Sequence, residues 1–313
     1  MILSIPDSPT LPLIVGVSTR ALFDLEEEHR VFATEGVQAY AQLQREREKV
    51  QLRPGAAFEV VKRLMALNDQ TGHKSVEVLL LSQNSPDLSL RALYSAEQLG
   101  LEIKRGSFTS GRTVAPYVEA WGIDLFLSNN DGDVRAAVAG GAAAAKLGAR
   151  PSSLSEGPVD EVRIAFDGDA VVFSPESDEI YKTQGLEAFL DHERRNAKIP
   201  MNRGPFGNFL RKLAVLREKF MRLDGTSLVR IAIVTARNAP AHERVVHTLR
   251  AWGTPADEAH FVGGNEKAPF LKAFGAHIFF DDQEKHVLGA STVVPSGLVP
   301  GPHDPDSPVI PAS

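Results

Sequence analysis

Cysteine is absent from the 313 residues, which excludes a disulfide framework, a thiolate metal site and a thiol nucleophile together. An excess of positive charge is missing as well. With 34 Lys and Arg against 40 Asp and Glu, a formal charge of −6, the chain has no overall basic field to hold a nucleic-acid backbone, so no polymeric nucleic-acid partner is expected. No apolar run reaches the roughly 20 residues of a membrane-spanning helix. Met1 to Thr10 carries neither the basic region nor the apolar stretch of a secretory signal. These absences predict a cytoplasmic protein without a membrane contact. The 43% hydrophobic and 24% charged residues that are present describe an ordinary folded chain, and at roughly 100 to 200 residues per domain its length suggests two domains.

The apolar runs Leu11 to Val17, Val76 to Leu81 and Ile123 to Leu127 read as strands, each stopping at small polar residues. Helical patterns follow from about Asp24 and up to Leu99, where Gly100 would cap the end. The Ala/Gly-rich stretch Ala136 to Leu147 predicts another helix, and Arg150 to Pro158 has the composition of a linker. The order then restarts with strand Val162 to Phe166, a long helical insert, strand Val229 to Val234, helix Ala241 to Trp252, and strands His260 to Val262 and His277 to Phe280. Strands alternating with helices predict an α/β fold of two tandem units with mostly parallel sheets. The proline-rich tail beyond Pro295 predicts extended or unordered chain.

The two halves align directly. At a fixed offset of 153, Val76 to Val134 lie on Val229 to Val287 without a gap, with 11 identities in 59 pairs that include Gly100 with Gly253 and Ala115-Pro116 with Ala268-Pro269. Earlier in the chain an offset of 149 pairs Gly36 with Gly185 and Lys62-Arg63-Leu64 with Arg211-Lys212-Leu213. Shared glycines and a proline exceed what common apolar periodicity produces, and predict a tandem duplication of one α/β unit.

Open α/β sheets bind ligands at the carboxyl ends of their strands, and in the second copy those ends are acidic. Strand Val162 to Phe166 runs into Asp167-Gly168-Asp169, and strand His277 to Phe280 into Asp281-Asp282. Carboxylates crowded at a buried strand end need a neutralising cation, and an all-oxygen donor set suits Mg²⁺. Thr235 offers a hydroxyl, Ala236 and Arg237 offer backbone N–H groups, and Lys267 offers an ammonium for a phosphate. Together these describe phosphoryl transfer through an aspartyl intermediate. Each also has a plainer reading: a surface turn for Asp167 and Asp169, a helix cap for Thr235 and for Asp281-Asp282, and a solvated lysine for Lys267.

In order and spacing, these motifs resemble the haloacid-dehalogenase-like superfamily, and more narrowly the cytosolic type I 5′-nucleotidases. The likeness rests on Ser18 to Phe23, Val162 to Phe173, Val234 to Arg237 and His277 to Gln283. A lone Asp-Gly-Asp is weaker, since Asp131-Gly132-Asp133 also occurs as a turn or helix start. The resemblance implies that Asp167 is the nucleophile and a metal ligand, and that Asp169 is the proton donor and acceptor with its carbonyl on the metal. It implies that Thr235 and Lys267 hold phosphoryl oxygens, and that Asp281 and Asp282 complete the Mg²⁺ site. It further implies a helical cap over about residues 174–228, in which Arg203, Phe206 and Asn208 are candidates for substrate contact, Phe206 by stacking on a purine, while packing and solvation explain the same three residues equally well.

The resulting organisation is a non-catalytic repeat over residues 1–150, a catalytic unit over 158–295 and a tail over 296–313. In the repeat Ser18, Arg20, Ser82, Val114 and Ser128-Asn129 stand where Asp167, Asp169, Thr235, Lys267 and Asp281-Asp282 stand in the second copy. This half is expected to hydrolyse nothing, and to serve either as a structural partner or as a metal-free nucleotide site. The leading functional expectation is Mg²⁺-dependent hydrolysis of nucleoside 5′-monophosphates. The alternatives are a phosphatase of sugar phosphates or other small phosphomonoesters, and a non-catalytic nucleotide sensor. Assembly with further copies of the chain stays open.

Overall fold

β1 (Leu13–Val17) and β4 (Val76–Ser82) are apolar with little alternation because a parallel strand in the middle of a sheet is covered on both faces. The computed structural model describes residues 10–68, 74–152, 159 and 161–301. Residues 1–9, the stretch 153–158 of the expected linker and residues 302–313 of the expected tail lie outside the described residues.

In the first half β1 leads through α1 (Thr19–Leu22) and β2 (Phe23–Asp24) into the long helix α2 (Glu26–Glu46). β3 (Arg53–Pro54), α3 (Phe58–Ala66), β4, α4 (Leu90–Gln98) and β5 (Gly106–Phe108) follow, then α5 (Ala115–Ala120), β6 (Leu125–Ser128), α6 (Asp131–Ala139) and β7 (Ala143–Leu147). The second half repeats the plan with β8 (Val162–Phe166), α7 (Glu176–Arg195), α8 (Gly207–Lys219), β9 (Val229–Thr235), α9 (His242–Trp252) and β10 (Glu258–Phe261). It ends in α10 (Ala268–Phe274), β11 (Ile278–Asp281), α11 (Glu284–Ala290) and β12 (Ser296–Leu298).

The halves share one ten-stranded sheet of order β10-β9-β8-β11-β12-β7-β6-β1-β4-β5. Read outward from its centre, β7-β6-β1-β4-β5 and β12-β11-β8-β9-β10 are the same arrangement. The halves meet where β12 pairs antiparallel with β7, Gly297 opposite Leu147 and Leu298 opposite Lys146. Neighbours within each half are parallel. On one face a continuous apolar core takes residues from both halves, including Val61 and Leu64 of α3 and Leu210 and Leu213 of α8. On the other face α5 and α6 cover the first half through Val118 and Val134, and α10 and α11 cover the second through Leu271 and Ala290. The likeness of the halves extends to backbone detail: α2 is broken at Gly36 and α7 at Gly185, both at φ 85°, a left-handed conformation that favours glycine.

Two expectations need correction. The helix expected over Ala136 to Leu147 stops at Ala139, and Ala143–Leu147 is β7. Gly140-Gly141 releases the chain from the helix, Gly141 at φ 88°, and strand pairing on both sides then outweighs the helical preference of alanine. Small side chains are needed here, since a Cβ built on Gly297 would lie 2.8 Å from Ala145 Cβ. The tail expected from residue 296 does not begin there either: Ser296–Leu298 is β12, placed between β11 and β7. Among the described residues no helix is long and apolar enough to cross a membrane.

Candidate active site

β8 and β11 are neighbours, Phe166 opposite Phe280, so the residues that follow them emerge side by side at the carboxyl edge of the sheet. That register places Asp167 beside Asp281. The backbone N–H of Asp167 donates to Phe280 O at 2.8 Å, which fixes the turn. Asp167, Asp281 and Asp282 each direct a carboxylate oxygen to one point, the oxygens lying within 4.8 Å of one another. All three are buried, at 4%, 0% and 5% exposure. Among the described residues the first half holds no comparable cluster.

Lys267 precedes α10, at a helix start where a cation opposes the helix dipole. Its side chain leaves the helix for the carboxylates, with Nζ donating to Asp167 Oδ1 at 2.6 Å and to Asp281 Oδ2 at 2.7 Å. His286 Nδ1 lies 3.3 Å from the same Asp281 oxygen. Asp281 Oδ1 also accepts the Gln283 N–H at 2.9 Å, a local turn ahead of α11, whose N-cap Gln283 receives no side-chain capping bond.

The electrostatics follow from burial and crowding. Burial pushes the Asp167 carboxyl up to about 6, with Lys267 acting against the rise and Asp281 adding to it. Burial, then repulsion from Asp281 and Asp167, pushes Asp282 up to about 9. Burial also opposes ionisation of Asp281, but Lys267 and His286 outweigh it and hold this carboxyl below its usual range. The Lys267 ammonium loses solvation yet is held above its usual range by Asp167 and Asp281. Three carboxyls facing one ammonium leave the pocket short of positive charge. Hard oxygen donors in that condition fit a divalent cation such as Mg²⁺.

The remaining expected residues divide. Thr235 is 1% exposed at the end of β9, where its Oγ1 accepts the Arg237 N–H at 3.3 Å. A Cβ on Gly168 would stand 3.2 Å from that hydroxyl oxygen, so glycine lets the Asp167–Asp169 turn lie against β9. Ala236 follows Thr235 at the same strand end. Asp169 is not in the carboxylate cluster. Its side chain is gripped by the Arg237 guanidinium through bonds of 2.6 and 2.7 Å, so Arg237 presents to the site a side chain already committed to a carboxylate. Arg203 donates to Asn208 Oδ1 at 3.0 Å, and both lie toward solvent. Phe206, expected to stack on a purine, is 0% exposed. Its ring centroid is 4.7 Å from that of Phe280 and 6.2 Å from that of Phe166, so both its faces belong to the core.

Sequence reasoning missed the Arg237–Asp169 pair, the buried Glu193 behind it and His286 beside Asp281. One signal was present: Arg244 aligns with an identical Arg91 at the offset of 153, and a charged identity among apolar ones marks a buried ion pair. In the first half Asp133 is aligned with His286. It accepts from Thr113 Oγ1 at 2.5 Å, the Val114 N–H at 3.1 Å and Gln83 Nε2 at 2.6 Å.

A crystal structure of histidinol dehydrogenase from Elizabethkingia anophelis aligns with 76% of this chain and 48% of its own at 12% identity and a TM-score of 0.21, a likeness too slight to bear on the fold. The human (Homo sapiens) protein Cytosolic 5'-nucleotidase 1B is 33% identical over 296 residues, which cover 91% of this chain and 48% of the human one. The chain thus spans about half the length of the curated relative it matches. Residues 5–305 match the family model described as 5'-nucleotidase. Since that match takes in nearly all of the chain, including both acidic strand ends, the chain belongs to the 5'-nucleotidase family.

Proposed function

We propose that this chain hydrolyses nucleoside 5′-monophosphates to nucleoside and inorganic phosphate through an aspartyl phosphate on Asp167, with Mg²⁺ as cofactor. The observation that carries the reading is the convergence of Asp167, Lys267, Asp281 and Asp282 at adjoining strand ends. Family membership adds the substrate class. The reading includes a haloacid-dehalogenase-like architecture, with the chemistry in residues 158–295, a helical cap over about 174–228, and a first repeat that performs no hydrolysis. It also includes a cytoplasmic location, in keeping with the word cytosolic in the human relative's name.

Asp167 Oδ attacks phosphorus while the bond from phosphorus to the 5′ oxygen breaks, and the leaving oxygen takes a proton from Asp169. Water then attacks the aspartyl phosphate, Asp169 accepts its proton, and the Asp167–phosphorus bond breaks. Asp167, Asp281, Asp282 and the Asp169 carbonyl would hold Mg²⁺, which when bound offsets the repulsion between anionic nucleophile and anionic phosphate. Lys267 and Thr235, with the Ala236 and Arg237 N–H groups, would hold the peripheral phosphoryl oxygens, where charge resides in the transition state.

Phosphate release from a panel of nucleotides and sugar phosphates, with and without Mg²⁺, tests this. Asp167→Asn should lower release by at least about 10³-fold, as loss of a nucleophile does. Turnover of sugar phosphates alone would refute the nucleotide reading.

A further inference from the structure

One buried guanidinium joins Asp169 to the helix that rises over the carboxyl edge of the sheet. Arg237 is 4% exposed. It donates from Nε to Asp169 Oδ2 at 2.7 Å, from Nη2 to Asp169 Oδ1 at 2.6 Å, and from Nη1 to Glu193 Oε2. Glu193, 1% exposed in the last turn of α7, accepts on its other oxygen from Ser177 at 2.7 Å and from Arg244 at 3.0 Å. Ser177 lies in the first turn of the same helix, so Glu193 holds together the two arms that Gly185 separates.

Comparison of the halves isolates the final link. Arg91, Gln44 and Glu28 occupy the places of Arg244, Glu193 and Ser177. Arg91 Nη1 donates to Glu28 Oε1 at 2.7 Å and to Gln44 Oε1 at 3.0 Å. Gln44 donates to Tyr40 Oη at 3.0 Å, and Tyr40 to Asn84 Oδ1 at 2.9 Å, Asn84 standing where Arg237 stands. There the series stops. Arg20, in the place of Asp169, pairs with Glu26 at 2.8 Å instead. Both halves therefore pin their kinked helix with a buried arginine, but only the half with the carboxylate cluster extends the network to the residue three positions past the strand end.

We propose that Arg237 is a positioning residue for Asp169, tying the orientation of that carboxylate to the seating of α7 through Glu193. The proposal rests on the reading of Asp169 as the group that protonates the leaving 5′ oxygen. A planar fork that makes two parallel bonds restricts the carboxylate torsions as a single point charge does not. In the first half Arg91 holds the kinked helix through Glu28 and Gln44 while Arg20, in the place of Asp169, bonds elsewhere, so the fork on Asp169 is additional to that task.

The test compares kcat/KM for a nucleoside 5′-monophosphate with that for its analogue carrying sulfur in place of the bridging 5′ oxygen. A thiol is far more acidic than an alcohol, with a pKa of about 8.5 in cysteine, so the sulfur leaves as a thiolate without needing a proton. Arg237→Lys keeps the charge and loses the fork. It should lower kcat/KM on the oxygen ester by about 10²-fold, the lower range of acid catalysis, and on the sulfur analogue by under about 3-fold. Glu193→Gln should move the same ratio in the same direction by a smaller factor. The ratio is independent of the folded fraction in a preparation. Equal losses on both substrates in both variants, or no loss on the oxygen ester, would overturn the positioning role. A native protein that cleaves neither substrate would overturn the underlying hydrolase reading instead.

Discussion

Lys267 Nζ sits 2.7 Å from Asp281 Oδ2, both side chains withdrawn from solvent and the same ammonium shared with Asp167. Lys267→Met should therefore act twice. It removes a group proposed to hold phosphate, and it leaves crowded carboxylates without their internal cation. Loss of one partner from a buried pair costs about 3–5 kcal/mol, so the denaturation midpoint should fall together with activity. Unfolding in urea without divalent cations measures the first effect, and an unchanged midpoint would contradict the arrangement.

A divalent cation bound among Asp167, Asp281 and Asp282 must stabilise the folded chain whether or not it turns over substrate. At a Mg²⁺ concentration about 100 times the dissociation constant, the gain is about 2.7 kcal/mol. Thermal unfolding should shift upward with Mg²⁺ for the native protein, and the shift should vanish in Asp281→Asn. A shift retained in that variant would place the cation elsewhere.

Phe206 lies in an aromatic cluster with Phe166, Phe209 and Phe280. Phe206→Ala should cost about 3–5 kcal/mol of stability through the cavity it leaves, while KM for a nucleotide measured below the unfolding transition stays near the native value. A raised KM with unchanged stability would restore the stacking role. Nearby, a Cβ on Gly204 would fall 2.3 Å from Phe173 O and 2.5 Å from Val171 O. Gly204→Ala should thus destabilise by about 1–3 kcal/mol by forcing backbone apart.

His277 opens the approach to β11, with Nδ1 accepting the Arg163 N–H at 2.9 Å. Burial, reinforced by Arg63 and Arg163, holds its imidazole down from 6.5 to about 3. The unfolded chain binds a proton at this residue below pH 6.5 that the folded chain refuses until near pH 3. Its contribution to stability is therefore intact above pH 6.5 and declines as pH falls, by at most about 1.4 kcal/mol per pH unit. His277→Gln should lose less stability than the native protein between pH 7 and pH 5. Parallel slopes for the two proteins would refute this.

The catalytic candidates were legible because their signals are local. Asp167 and Asp281 each follow a short apolar run, and such runs end where the chain turns at the sheet edge. Lys267 stood out as a cation in an unfavourable place at a helix start, and its two carboxylate partners account for that placement. The alignment of halves was equally readable, since β1 with β8 and β4 with β9 follow the offsets of 149 and 153. For Arg237 the local sequence offers only a backbone N–H, because nothing adjacent to it names Asp169 or Glu193, 68 and 44 residues away.

Sequence alone determined most of the strand and helix order, the correspondence between the halves, and the contrast between acidic strand ends in the second half and the hydroxyls, amides and Arg20 that stand in their place in the first. Those features depend on periodicity, turn residues and side-chain chemistry read over a few positions. Tertiary structure decided that Ala143–Leu147 would be a strand, that Ser296–Leu298 would join the two halves into one sheet, that Phe206 would be core, and that Asp169 would be held by Arg237. Each of these turns on which distant segment becomes a neighbour. A hydrogen bond or apolar contact across 40 or more residues exists only once the sheet has closed, so no local pattern announces it.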